Sequence, residues 1–194
     1  MSELANRLEY LVERLRSAYD GIGHSSGRPY VYFVYPPEQE RALRRLADEY
    51  LRDDASLRNH HVDLLGITIE SLANREDRGR ELLNDPLRKA GSAESILRLW
   101  ARAVGKEIAA ALAAPGSSAR PVVVLRGLAA LHPLGNPTEL MEALAEEEPR
   151  DPATGRMVPV VLLIPGVRPP QTSRTYQFLG LERLQCTFYR GEEV

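Results

Sequence analysis

The chain has 194 residues, 43% of them hydrophobic and 27% charged, and a formal net charge of -2. That length and apolar content can bury one sizeable core, and the near-neutral balance removes any global drive toward nucleic acid or an anionic membrane. The single cysteine, Cys186, excludes an internal disulfide framework and a thiolate-rich metal site, and fits a reducing compartment.

The amino terminus, MSELANRLEYLVERLRSAYD, places Leu4, Leu8, Leu11, Val12 and Leu15 at helical spacing between charged residues. It reads as an amphipathic helix and not as a secretory leader, which would need an unbroken apolar core, so a cytoplasmic protein is expected. The apolar runs around Val122 and Val160 fall far short of the roughly 20 residues needed to span a bilayer, and no membrane association is expected.

Gly21, Gly23, Ser25, Ser26 and Gly27 make a turn ahead of Tyr30-Val-Tyr-Phe-Val-Tyr35, a strand by its aromatic and β-branched content, which Pro36-Pro37 stops. From Glu38 the spacing of Leu43, Leu46, Tyr50 and Leu51 predicts an amphipathic helix opened by proline and acidic residues. Val62 to Ile69 is the next extended candidate, reached through a polar connection from Asp53 to His61, although Gly66 weakens a strand interior there. Ser92-Ala-Glu-Ser95 starts a helix carrying Ile96, Leu97, Trp100, Val104, Ile108 and Leu112 on one face, and Pro115 to Ser118 ends it. Pro121 to Leu125 is a buried strand, followed by a helix from about Asn136, capped by Asn136 or Thr138. Val158 to Ile164 is a second buried strand that breaks at Pro165-Gly166, with short segments at Tyr176 to Leu181 and Cys186 to Arg190 beyond it.

Apolar runs without polar alternation belong to strands covered on both faces, and here they alternate with helices. The expected fold is a single three-layer α/β domain over 1–194, with a mostly parallel sheet of about five strands and a Rossmann-like or P-loop-like topology that lacks a phosphate-binding loop. The turn where such a loop would sit is Tyr35-Pro36-Pro37-Glu38: proline has no N–H to offer a phosphate and glutamate repels it. Arg126-Gly127 follows Leu125 where metal-binding acids of an ATPase would stand. Arg126 is therefore read either as a partner for an acidic group or phosphate, or as a salt-bridged cap on the strand end.

None of His24, His60, His61 and His132 has a helical ligand partner, so no metal and no cofactor is expected. His132, beside Pro133 in a strand-to-helix loop, is a candidate contact residue, with ordinary loop packing as its alternative. No serine stands in a Gly-x-Ser-x-Gly elbow, Cys186 has no local base, and Glu146-Glu147-Glu148 reads as a solvated face, so no catalytic residue is assigned. Ligands of parallel sheets gather at the carboxyl ends of strands, which directs attention to Pro165-Gly-Val-Arg-Pro-Pro-Gln-Thr-Ser-Arg174. There Arg168 and Arg174 offer forked cationic donors and Gln171, Thr172 and Ser173 neutral ones, suited to carboxylate, phosphate or exposed backbone. The alternative is a purely structural loop, turned by Gly166 and stiffened by its prolines.

The segment Arg120-Pro-Val-Val-Val-Leu-Arg-Gly-Leu-Ala-Ala-Leu-His-Pro-Leu134, the helix after it, Val158 to Gly166, Gln171-Thr-Ser-Arg174 and Phe178-Leu179 together resemble the BrxB family of bacteriophage exclusion (BREX) systems. The leucine-bearing first helix, the Tyr30 to Tyr35 strand and the overall length extend the likeness over nearly the whole chain, while the closing Gly191-Glu-Glu-Val194 departs from the family pattern. The resemblance implies a non-catalytic cytoplasmic adaptor of an antiviral complex. Its implied partners are a large ATPase, a methyltransferase and an alkaline-phosphatase-like protein of the PglZ type, with DNA contacted only indirectly. The expected partner-binding residues are Arg126, His132, Arg168, Gln171, Ser173 and Arg174. The alternative function is nucleic-acid binding by an arginine patch of Arg120, Arg126, Arg168 and Arg174, with a nucleotide-sensing module as a third possibility.

Overall fold

The computed structural model describes residues 2–22, 29–72, 86–114, 118–144, 149–170, 174–188 and 190–194. In chain order the elements are α1 (Glu3–Ser17), β1 (Tyr30–Tyr35), α2 (Glu40–Tyr50), β2 (Leu57–Asp63), α3 (Leu64–Leu72), α4 (Pro86–Ala113), β3 (Arg120–Arg126) and α5 (Pro137–Leu144). β4 (Val160–Val167), β5 (Thr175–Phe178), β6 (Gln185–Thr187) and β7 (Gly191–Glu193) complete them. Five strands run parallel in the order β2-β3-β4-β1-β7, and β5 and β6 add an antiparallel extension at the end of β4. The expected α/β sheet flanked by helices is present.

Alternation along the central strands divides the core in two, because successive side chains leave a strand on opposite faces. On one face Val31, Phe33, Tyr35, Val122, Val124, Val161 and Leu163 meet Leu4, Leu8, Leu11, Val12 and Leu15 of α1 and Leu43 and Ala47 of α2. On the other, Tyr30, Tyr32, Val34, Val123, Leu125, Leu162 and Ile164 meet α3, Leu97, Trp100, Val104 and Ile108 of α4, and Leu140 and Met141 of α5. Helices therefore cover both faces, as the unbroken apolar runs of β1, β3 and β4 require. No helix among the described residues is long and apolar enough to cross a membrane.

Three elements depart from the sequence reading. β2 lies at Leu57–Asp63, within what the sequence presents as a polar connection, and Leu64 to Leu72 is helix, not strand. The cause is position: β2 is an edge strand, so Arg58, Asn59, His60 and His61 are only half-buried and need not be apolar. Its outer edge is fenced by the preceding loop, where the Asp53 carboxylate accepts the Asn59 N–H at 2.7 Å and the Asp54 N–H donates to Leu57 O at 2.9 Å.

Second, Pro165-Gly166 does not end β4. The strand continues to Val167 and exchanges partners, with Tyr35 beside Pro165 and Phe178 opposite Gly166. Gly166 is not a turn residue but a point of close approach, since a Cβ there would stand 2.8 Å from Gln177 O. Third, Gly191–Glu193, where the sequence reading places no element, forms the edge strand β7 beside β1.

Of the remaining expectations, α5 begins as read, through a reciprocal cap in which Asn136 Oδ1 accepts the Glu139 N–H and Glu139 Oε2 accepts the Asn136 N–H, each at 3.1 Å. α4 starts at Pro86, before the expected Ser92, because proline suits a first helical turn. The turn at Gly23 to Gly27, the helix stop at Pro115 to Gly116 and the Glu146 to Glu148 run lie outside the described residues.

Candidate functional site

The carboxyl-terminal edge of the sheet is built by the ends of β2, β3, β4 and β1. Asp63 closes β2 and stands beside Arg126, the last residue of β3. It also caps α3, its Oδ1 accepting the Leu65 N–H at 3.1 Å, so a strand is converted to a helix with no intervening loop. Gly127 follows with φ of 71°, and a Cβ there would overlap Asp63 Oδ1. Glycine alone combines that backbone with the space Asp63 needs.

A chain of charges ties these ends to α2. Arg44 Nη1 donates to Asp63 Oδ2 at 3.1 Å and Arg44 Nε to Glu40 Oε1 at 2.7 Å, while Tyr35 Oη donates to the other Glu40 oxygen. Arg126 Nη1 donates to Asp48 Oδ1 at 2.7 Å, and its buried Nε lies 3.7 Å from Asp63. The bond to Glu40, reinforced by the charge of Asp63, raises the Arg44 pKa above its ordinary value. Burial, then the bond to Glu40, pushes the Tyr35 phenol up as well. Arg126 is thus committed within the chain to acids from α2 and β2.

The turn after β1 is tight. Pro37–Gln39 makes a single helical turn in which the Gln39 N–H returns to Pro36 O at 2.9 Å. The first turn of α2 carries the Glu40 carboxylate, already bonded to Tyr35 and Arg44. An incoming phosphate would meet two prolines and this carboxylate where a nucleotide fold offers amides.

Arg168 leaves β4 in the other direction. It crosses the end of β1 to pair with Glu193 of β7 and stands over the Phe188 ring, 5.8 Å from its centroid. With Glu3, Arg7, Val34 and Val194 it lines an open depression of about 500 Å³. Arg7 lies over the Phe33 ring at 4.6 Å and donates to Val194 O at 3.2 Å, and desolvation lowers its pKa. Val167, at 42%, and Arg168 are exposed directly after seven buried residues of β4.

Arg174 is exposed at the start of β5, where its carbonyl accepts the Phe188 N–H at 3.3 Å. His132 is half-buried after the turn Leu128–Leu131, which is pinned by the fully buried Leu128 and Leu131; its peptide bond to Pro133 is cis. Gln171, Thr172 and Ser173 lie outside the described residues. The predicted residues are therefore not gathered around one point: β3 and β4 are neighbours, but Arg126 turns toward α2 and β2, whereas Arg168 turns the other way, past β1 toward β7. Nor do the four arginines form one patch, because Arg120 and Arg126 occupy opposite ends of β3, about 20 Å apart at the usual strand rise.

The sequence reading missed Asp63, Arg44, Asp48 and Glu40. The i, i+4 spacing of Glu40 and Arg44 was visible, but their convergence with Asp63 is tertiary. Cys186 is buried, donates weakly to Leu184 O at 3.6 Å, and is pushed up in pKa by desolvation. No group of three or more His, Cys, Asp or Glu side chains among the described residues is arranged to hold a metal ion. No family model, no curated protein and no solved structure matches the chain.

Proposed function

We propose that the chain is a non-catalytic adaptor of a BREX-type antiviral complex, presenting the carboxyl-terminal end of β4 to a partner defence protein. The reading starts from the resemblance carried by Arg120 to Leu134, Val158 to Gly166 and Gln171 to Arg174. The observation that carries it is the abrupt change at Val167 and Arg168: a strand buried for seven residues emerges with an apolar and a cationic side chain exposed in succession, and Arg168, paired with Glu193, lines an open depression. Such a pairing suits a protein surface, where an apolar contact is oriented by charge at its rim. The prolines and the committed Glu40 after β1, together with the buried thiol of Cys186, favour a scaffold over nucleotide or nucleophile chemistry. The internal pairing of Arg126 and the separation of Arg120 from it weigh against nucleic acid as the ligand.

The test is co-expression of the full chain with the large ATPase, the methyltransferase and the alkaline-phosphatase-like protein, followed by size-exclusion chromatography. The adaptor reading expects co-elution with at least one of them; elution alone in every combination overturns it.

A further inference from the structure

Two adjoining cavities of about 320 and 390 Å³ open at the amino-terminal end of the sheet, away from the edge described above. They share Leu112, Ala113 and Pro152 as walls. The first is mainly apolar, with Arg150 also in its lining. Tyr30 and Val160, the first residues of β1 and β4, form its floor, and Ile108, Met141 and Leu144 form its sides. The space exists because Gly105, Ala109 and Ala113, four residues apart on one face of α4, are too small to close the gap to α5.

The second cavity is polar, and its charges do not cancel. Asp20 is paired with Arg156 at 3.0 Å, and the oxygens of Asp151 accept from the Ala153 N–H at 3.0 Å and Thr154 Oγ1 at 2.8 Å. Arg58 and Arg120 lie on neighbouring strands at the same end of the sheet; they leave it on opposite faces and both line this end cavity, and among the described residues neither has a carboxylate partner. Each instead donates to a carbonyl at or beyond a helix end: Arg58 Nη1 to Ala114 O at 3.2 Å and Arg120 Nη2 to Arg16 O at 2.9 Å. Among the described residues Arg58 Nε is buried with no hydrogen-bond partner, and the Arg120 guanidinium is held over the Tyr19 ring at 4.7 Å.

We infer that this groove binds a small amphipathic carboxylate, with its aliphatic tail in the cavity between α4 and α5 and its carboxylate against Arg58 and Arg120. The aliphatic lobe matches a saturated chain, its size falls within the range of small-molecule sites, and forked guanidiniums without an acid suit a carboxylate. The inference does not depend on the adaptor reading.

Calorimetric titration of the full chain with decanoate, below its micellar concentration, tests it. One-to-one binding of decanoate is expected, with no binding of acetate, which lacks the tail, or of decyltrimethylammonium, which has the wrong charge. Arg58→Gln with Arg120→Gln should weaken decanoate at least tenfold, roughly 1.4 kcal/mol. Because both arginines also bond carbonyls near helix ends, Ala109→Phe provides an independent variant: it fills the aliphatic cavity from an exposed helix position and should abolish binding without unfolding the chain. Absence of decanoate binding, equal binding of the cationic amphiphile, unchanged affinity in Ala109→Phe, or tighter binding of decyl phosphate than of decanoate each overturns the assignment.

Discussion

Gly127→Ala isolates the joint on which the carboxyl-terminal edge is built. An L-residue at φ of 71° costs about 1–2 kcal/mol in backbone energy. The new methyl group would also displace Asp63, loosening its cap on Leu65, which is worth about 1 kcal/mol, and its pairing with Arg44. That ion pair is about one-third exposed, at 34% and 30%, so solvent screening limits it to at most about 1 kcal/mol. The expected loss is about 2–4 kcal/mol, seen as a fall in Tm of roughly 5–15 °C for a chain of this size. The diagnostic assay is a double-mutant cycle with Asp63→Ala by urea denaturation. With the carboxylate removed, alanine at 127 should cost the backbone part and the close approach to the Leu65 N, leaving a coupling of about 1–2 kcal/mol. Additivity within about 0.5 kcal/mol would refute the argument, because it would mean that Gly127 makes no room for Asp63.

Other consequences follow from the same structure. Asp54 accepts from Arg16, the Leu57 and Ser56 N–H groups and Ser56 Oγ, and these bonds hold its pKa well below the usual carboxylate value. A depressed carboxylate stabilises above its unfolded pKa of about 3.9 and loses that contribution as pH falls through the folded value, so Asp54→Asn should flatten the acid limb of the stability curve. His60 is depressed first by desolvation and then by Arg58, so its neutral form is favoured in the fold. Its contribution is present above the unfolded pKa of about 6.5 and declines as pH drops below it; an NMR titration midpoint above that value would contradict the burial argument. Trp100, the sole tryptophan, is 3% exposed, and Trp100→Ala should cost about 3–5 kcal/mol by denaturant titration followed by circular dichroism.

What could be read from the residues tracks where each element sits in the sheet. Tyr30 to Tyr35, Val122 to Leu125 and Val160 to Ile164 announce interior strands because both of their faces are covered, and Leu4, Leu8, Leu11 and Leu15 announce the helix that covers one of them. β2 was not legible, since an edge strand can carry Asn59, His60 and His61. α3 reads as a strand because Leu64 to Ile69 lacks the charged residues that would reveal a helical period; its helical signal is Asp63 as the cap. β7 escaped because Gly-Glu-Glu has no strand propensity of its own and is ordered by pairing with Tyr30 to Tyr32. At the candidate edge, the strand-end positions of Arg126 and Arg168 were readable, whereas their partners Asp48 and Glu193 are 78 and 25 residues away and meet them only through the fold.

The most direct test of the adaptor account is the affinity of the full chain for whichever defence protein co-elutes with it, measured by calorimetry for the wild type and for Arg168→Ala with Arg174→Ala. Both arginines are exposed, so the variant should keep the wild-type Tm within a few degrees while losing at least about tenfold in affinity, roughly 1.4 kcal/mol. Unchanged affinity in a folded double variant would contradict the assignment of the β4 end as the partner surface.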